Sequence, residues 1–217
     1  MKSRNLKIAL SGFSGTGKTS LAKALGHRLE LPVIPEEMLT LANADRALVI
    51  AQAENRFAEL PDAIQALINA FVHWDNGRSE AYAQRQGYIA DRWEADLLDW
   101  WLARFGKGSY PVDQVTATLF GNFQKKAADL DYVILMPLLR PFSRDANDEG
   151  NKRGGSMTTQ LLNTTLTRGL IVSFTQLPII SLPSQPLGID ERVDYVLKAI
   201  AAHQSRRNST PPSSSMI

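Results

Sequence analysis

The chain contains no cysteine. That excludes disulfides and any cysteine-ligated zinc or iron–sulfur centre, and it argues against thiol redox chemistry. Long hydrophobic runs are missing as well. The polar start Met1 to Asn5 leads into Leu6-Lys7-Ile8-Ala9-Leu10, which Ser11-Gly12 ends at once; this is too short for the core of a signal peptide or for a membrane span. A cytoplasmic location with no membrane contact is therefore the expectation. Neither sign of charge dominates: 24 Lys and Arg face 22 Asp and Glu, a net +2, so charge neither requires nor excludes a nucleic-acid partner. What remains is 217 residues, 44% of them hydrophobic and 21% charged, enough for one α/β domain with a full core.

The most informative stretch is Gly12-Phe13-Ser14-Gly15-Thr16-Gly17-Lys18-Thr19, which fits G-x-x-x-x-G-K-[ST] at every defined position. The apolar run before it suits a buried strand. From Thr19 to Leu29, apolar residues at 21, 22, 25 and 29 have a helical period. Strand, glycine-rich loop and helix together make a phosphate-binding loop: the glycines let successive N–H groups face one concavity, and the helix adds the positive end of its dipole. Lys18 supplies a mobile charge for the β- and γ-phosphates, and the Thr19 hydroxyl is placed to ligate Mg²⁺ carried in with the nucleotide. The cofactor-binding stretch is taken to run from Gly12 to Ser20.

Further along, Leu31-Pro32-Val33-Ile34-Pro35 reads as a second strand with Glu36-Glu37 at its carboxyl end, the side on which open parallel sheets bind ligands. Glu36 is the candidate acid, whereas Glu37 is expected to start the next helix. Residues 38–86 read as a helical, acceptor-side insertion broken at Pro61 and at Asn76-Gly77, with Ile64, Leu67, Ile68 and Phe71 on one face. Arg46, Arg56, Arg78 and Arg85 within it are expected to be solvated surface charges, and His73 and Trp74 to be packing residues. Tyr88-Ile89-Ala90 reads as a third strand closed by Asp91-Arg92, before a helix from Glu94. An acid there can hold Mg²⁺ through its water shell or accept a proton from an acceptor hydroxyl, and Arg92 can meet phosphate.

A helix over 112–129, a strand over 131–137, a helix over 157–172, a strand over 178–182 and a helix over 189–203 complete the pattern. Between the fourth strand and the helix that follows, the polar segment 138–156 carries Arg140, Arg144, Lys152 and Arg153 and reads as a cationic lid able to close over a transferring group. Residues 204–217 have little to bury and read as a disordered tail.

With these pieces in place, the sequence resembles the P-loop kinase-like ATPase family, an AAA-type domain related to nucleoside, nucleotide and nicotinamide-riboside kinases. Ser11 to Thr19, Val33-Ile34-Pro35-Glu36, Ile89-Ala90-Asp91-Arg92, Asp131 through Arg153 and Glu191-Arg192-Val193-Asp194 carry the resemblance. It implies a three-layer P-loop NTPase sandwich whose parallel five-stranded sheet is ordered 2-3-1-4-5, with helices on both faces and residues 1–203 forming the domain. It also implies ATP and Mg²⁺ as cofactors, Lys18, Glu36, Asp91 and Arg92 as catalytic residues, Thr19 and Asp91 at the metal, and Arg140, Arg144 and Arg153 on the transferred phosphate. Either Glu36 or Asp91 would be the base.

The implied reaction is transfer of the γ-phosphoryl group of ATP to a hydroxyl of a nucleoside- or nucleotide-type acceptor. Kinases resembling this family also act in bacteriophage DNA hypermodification, which adds the hydroxymethyl group of a modified pyrimidine such as 5-hydroxymethyluracil in DNA to the candidate acceptors. The chain departs from deoxynucleoside and thymidylate kinases at Trp93, where those carry Ser, Tyr or His after the acid-arginine pair. The alternative is a nucleotide-driven ATPase or regulatory switch. A GTPase is disfavoured because Asn151-Lys152-Arg153-Gly154 lacks the aspartate of Asn-Lys-x-Asp, and a mechanical ring ATPase because Asp91 is followed by Arg92 rather than by a second acid.

Overall fold

The computed structural model describes residues 5–106, 110–137 and 157–209. Five strands alternate with helices: β1 (Lys7–Ser11), β2 (Val33–Ile34), β3 (Tyr88–Asp91), β4 (Tyr132–Leu135) and β5 (Ile179–Ser181) form one sheet in the order β2-β3-β1-β4-β5. Every pairing is parallel. Strands buried on both faces need apolar residues throughout, and all four residues of β4 and of β3 are buried, including the closing Asp91.

The alternation along the strands divides the core into two. Ile8, Leu10, Ile89 and Ile134 point to the side covered by α1 (Lys18–Leu29) and α7 (Ile189–Ser209), where they meet Leu21, Leu25, Val196 and Ile200. Ala9, Ala90 and Val133 point to the other side. There they meet α2 (Leu39–Ala53), α3 (Leu60–Ala83), α4 (Glu94–Phe105), α5 (Asp113–Asp129) and α6 (Met157–Phe174). These are the three layers and the strand order expected.

Three expectations about the elements need correction. The helix α3 runs unbroken through Asn76-Gly77, because a helical Gly77 has open space around it and the apolar residues on either side keep one buried face. Pro61 sits in its first turn, where a missing N–H costs nothing. Glu37 does not start a helix: it takes a left-handed conformation at φ 46°, and α2 begins at Leu39. The last helix continues past residue 203 to Ser209, so residues 204–209 belong to α7 rather than to a disordered tail. No helix among the described residues is long and apolar enough to cross a membrane.

Candidate active site

The parallel register brings the carboxyl ends of β1, β3 and β2 side by side, with Leu10 opposite Asp91 and Ile34 opposite Ala90. The phosphate loop, Glu36 and Asp91-Arg92 therefore come together from three separate stretches of sequence. Within the loop, Gly12, Gly15 and Gly17 all have positive φ, at 145°, 83° and 88°. Gly17 caps α1 in the left-handed region that other residues adopt at a cost. At Gly12 the constraint is also one of space, since a Cβ there would lie 2.7 Å from that of Met136.

Lys18 is 4% exposed, and its ammonium donates to the carbonyls of Gly12 at 2.7 Å and Phe13 at 2.9 Å. Burial, aided by the charge of Arg92, brings its pKa down to about 8, against the opposing pull of Asp96, Glu36 and Asp91. Thr16 closes the loop on itself by donating its hydroxyl to the carbonyl of Phe13 at 2.8 Å. From the far side, Arg192 of α7 donates to the Thr16 carbonyl at 3.0 Å and to that of Leu187 at 3.1 Å, tying the loop to the β5–α7 connection. Ser20 lies exposed in the first turn of α1.

Asp91 ends β3 beside this turn. The hydroxyl of Thr19 donates to Asp91 Oδ2 at 2.6 Å, while Asp91 Oδ1 is buried with no hydrogen-bond partner among the described residues. Burial raises the carboxyl's pKa above the usual range; the Thr19 hydrogen bond opposes this and the nearby Glu36 adds to it. An orphan carboxylate oxygen next to a hydroxyl is an all-oxygen donor set, which suits Mg²⁺, an ion that takes few protein ligands and completes its shell with water and phosphate. No group of three or more His, Cys, Asp or Glu able to hold a metal occurs among the described residues.

Arg92 follows at φ 69°, a left-handed conformation uncommon for a residue with a side chain. That turn sends the guanidinium back across the strand ends. Its Nε lies 2.7 Å from Glu36 Oε1, and Nη1 lies 3.4 Å from both the Gly12 carbonyl and Asp96 Oδ1. Arg92 thus joins the acid of β2 to the phosphate loop. The Glu36 side chain remains 35% exposed, so its carboxylate is open to an incoming group.

Three residues that the sequence reading did not place at the site hold it together. Arg78 was expected on the surface; it is instead 3% exposed and donates to the backbone carbonyls of Pro35 and Arg92, with its guanidinium 5.0 Å from the Trp74 ring centre. Trp74 packs as expected and also donates its indole N–H to the Glu36 carbonyl at 2.9 Å, whereas His73 is exposed. Asp96 of α4 spends both oxygens beneath the loop, accepting from Ser11 Oγ at 2.8 Å and from the Gly12 N–H at 3.2 Å. The signal for Arg78 was its place four residues after Trp74 on a helix whose buried face runs through Phe71 and Trp74.

Trp93 turns away from the cleft. It is fully buried and donates to Ser11 Oγ at 2.6 Å, so it supports the loop from within the core. The lid residues Arg140, Arg144 and Arg153 lie outside the described residues.

The chain has the fold of P-loop kinases. It belongs to the AAA domain family, which matches residues 7–183. Among solved structures it is similar to deoxyadenosine kinase from M. mycoides with bound dCTP, at 16% identity and a TM-score of 0.56, covering 91% of this chain and 100% of that one. It is similar to thymidylate kinase from Candida albicans, at 13% identity and a TM-score of 0.54, covering 93% of each chain. It is also similar to shikimate kinase from Acinetobacter baumannii in complex with shikimate, at 12% identity and a TM-score of 0.50, again covering 93% of each. No curated protein sequence matches the chain.

Proposed function

We propose that the protein is an ATP-dependent phosphotransferase acting on a hydroxyl of a nucleoside- or nucleotide-type acceptor, a class that includes the hydroxymethyl group of a modified pyrimidine in DNA. The observation that carries this reading is the Glu36–Arg92 pair, 2.7 Å apart at the strand ends beside the phosphate loop. Nucleotide binding alone has no use for a half-open acid held by a cation at that place. Transfer to a hydroxyl does, because a proton must leave the attacking oxygen and charge on the phosphoryl oxygens must be met. The similarity of the fold to nucleoside and nucleotide kinases supports the acceptor class.

In this mechanism the N–H groups of the loop and Lys18 hold the β- and γ-phosphates. To reach them, Lys18 exchanges its contacts with the Gly12 and Phe13 carbonyls for phosphate oxygens. Thr19 and Asp91 hold Mg²⁺, which supplies Lewis-acid neutralisation of the phosphate oxygens when bound. Glu36, directed by Arg92, takes the proton of the acceptor hydroxyl. As that oxygen bonds to the γ-phosphorus, the bond to the β,γ-bridging oxygen breaks, giving the phosphorylated acceptor and ADP.

The test is transfer of labelled γ-phosphate from ATP and Mg²⁺ to a panel of nucleosides, nucleotides, nicotinamide riboside and DNA with or without hydroxymethylated pyrimidines. Label on one acceptor, lost in Glu36→Gln, is the expected result. Release of inorganic phosphate alone, unaffected by every acceptor, overturns the proposal in favour of an ATPase or switch.

A further inference from the structure

Two acids lie one turn apart on α4, and they are used very differently. Asp96 has its oxygens occupied by Ser11, Gly12 and the N–H of Trp93, with Arg92 alongside. Asp99 is equally buried, at 5% exposure, yet only Oδ2 is engaged, by the Thr167 hydroxyl of α6 at 2.8 Å. Its Oδ1 is buried with no hydrogen-bond partner among the described residues. Leaving a buried acceptor unmet is costly, and more so for a charged one, so a carboxylate serving only to hold Thr167 is an expensive choice. Asp99 lines a cavity of about 180 Å³ that also has Gly12, Ser14, Arg92, Trp100 and Asn163 in its wall. This cavity adjoins the phosphate loop, on the face where Arg92 emerges.

We propose that Asp99 is an acceptor-binding residue: its carboxyl turns into the cavity on binding so that the unpartnered Oδ1 accepts the N–H of a lactam or imide edge on the acceptor's planar ring, while Asn163 donates to the adjoining carbonyl. This rests on reading the site as the acceptor side of a kinase. The cavity has the size of one such ring, and its wall includes Trp100, Asp99 and Asn163. The guanidinium of Arg92 is paired with Glu36 and Asp96, and its charge on Asp99 is outweighed by burial. Burial raises the Asp99 pKa to about 7, against the Thr167 hydrogen bond; an N–H donor from the ligand favours the ionised form and relieves that cost. A ring methylated at that nitrogen lacks the donor and binds less well.

The experiment measures binding calorimetrically to the full chain saturated with ADP and Mg²⁺, so it needs no turnover. The probes are thymidine, inosine and 5-hydroxymethyl-2′-deoxyuridine, the last both free and within a short single-stranded DNA, each compared with its ring-N-methylated form. At least one N–H probe binds, and N-methylation weakens it by about tenfold or more, the scale of one hydrogen bond to a charged group. Asp99→Ala gives the same loss while ADP affinity stays unchanged. Should that variant fail to fold, the N-methylated probes test the same contact in the unaltered protein. Binding by none of the N–H probes, or binding insensitive to both methylation and Asp99→Ala, overturns the proposal. Transfer of phosphate with unaltered acceptor KM in Asp99→Ala overturns it while leaving the kinase reading intact. Binding that depends on Asp99 without any transfer does the reverse.

Discussion

The indole N–H of Trp93 donates to the hydroxyl oxygen of Ser11 at 2.6 Å, and the Ser11 hydroxyl in turn donates a hydrogen bond to Asp96 Oδ2 at 2.8 Å. Residues from β1, the β3–α4 turn and α4 thus close a small buried network under the first glycine of the phosphate loop. Trp93→Phe keeps most of the apolar volume and removes the donor. It should cost about 1–3 kcal/mol of stability, seen as a lowered denaturation midpoint, and should weaken nucleotide binding without changing which acceptor is used. An unchanged midpoint would show that the network contributes nothing to the loop.

The roles of the two acids should separate in substitutions. Asp91→Asn removes the carboxylate beside Thr19 and should raise the Mg²⁺ concentration needed for half-maximal rate, with partial recovery at high metal. Glu36→Gln should leave the metal requirement in place and lower kcat by roughly 10²–10⁴-fold, the usual worth of a positioned proton acceptor. Rate measurements across a Mg²⁺ titration distinguish the two, and identical metal curves for both variants would refute the division of labour.

Lys18, with a pKa near 8 in the free protein, is only partly charged at pH 8. Phosphates stabilise its ammonium and raise that pKa, so nucleotide binding at pH 8 should take up protons. Calorimetry in buffers of different ionisation enthalpy measures the uptake directly. It should shrink towards pH 6.5, where Lys18 is already protonated, and vanish in Lys18→Met. Proton release at pH 8 would contradict the assignment.

Stability should fall as pH rises from about 4 to above 7. Glu94 and Asp99 are both pushed up to about 7 by burial, so in that window the folded chain holds protons that the unfolded chain has lost. Asp75 and Asp91 are shifted the same way. Because the folded state binds more protons, raising the pH favours unfolding. Thermal melts of the protein free of nucleotide should therefore give a higher midpoint at pH 5.5 than at pH 8. Glu94→Gln, which keeps the shape and a partner for the Tyr82 hydroxyl, should flatten the profile.

The phosphate loop was legible because its chemistry is local: glycines, Lys18 and Thr19 act at fixed spacing on one turn of chain. Strand order was legible only through the family resemblance, since nothing in the residues of β2 or β3 says which neighbours β1. Arg78 was misjudged because charge in a polar, helical stretch suggests solvent, and only the tertiary fold brings two backbone carbonyls to it. Asp96 and Asp99 went unremarked for a related reason. Amphipathic reasoning gives a helix one buried face, but α4 is wrapped by its neighbours, with Glu94, Asp96 and Asp99 buried along with Leu97, Leu98 and Trp101. Acids in such a helix have no solvated side to occupy, and their positions one turn apart, just after the β3 acid, were the available signal.

Arg78 and Trp74 hold no carboxylate, yet between them they grip the backbone at Pro35, Glu36 and Arg92 from a single helix. Glu36 and Arg92 are therefore hung from one beam, α3. A tilt of α3 would carry the backbone of Glu36 and Arg92 with it, so the acid and the cation at the strand ends would shift together and keep their pairing.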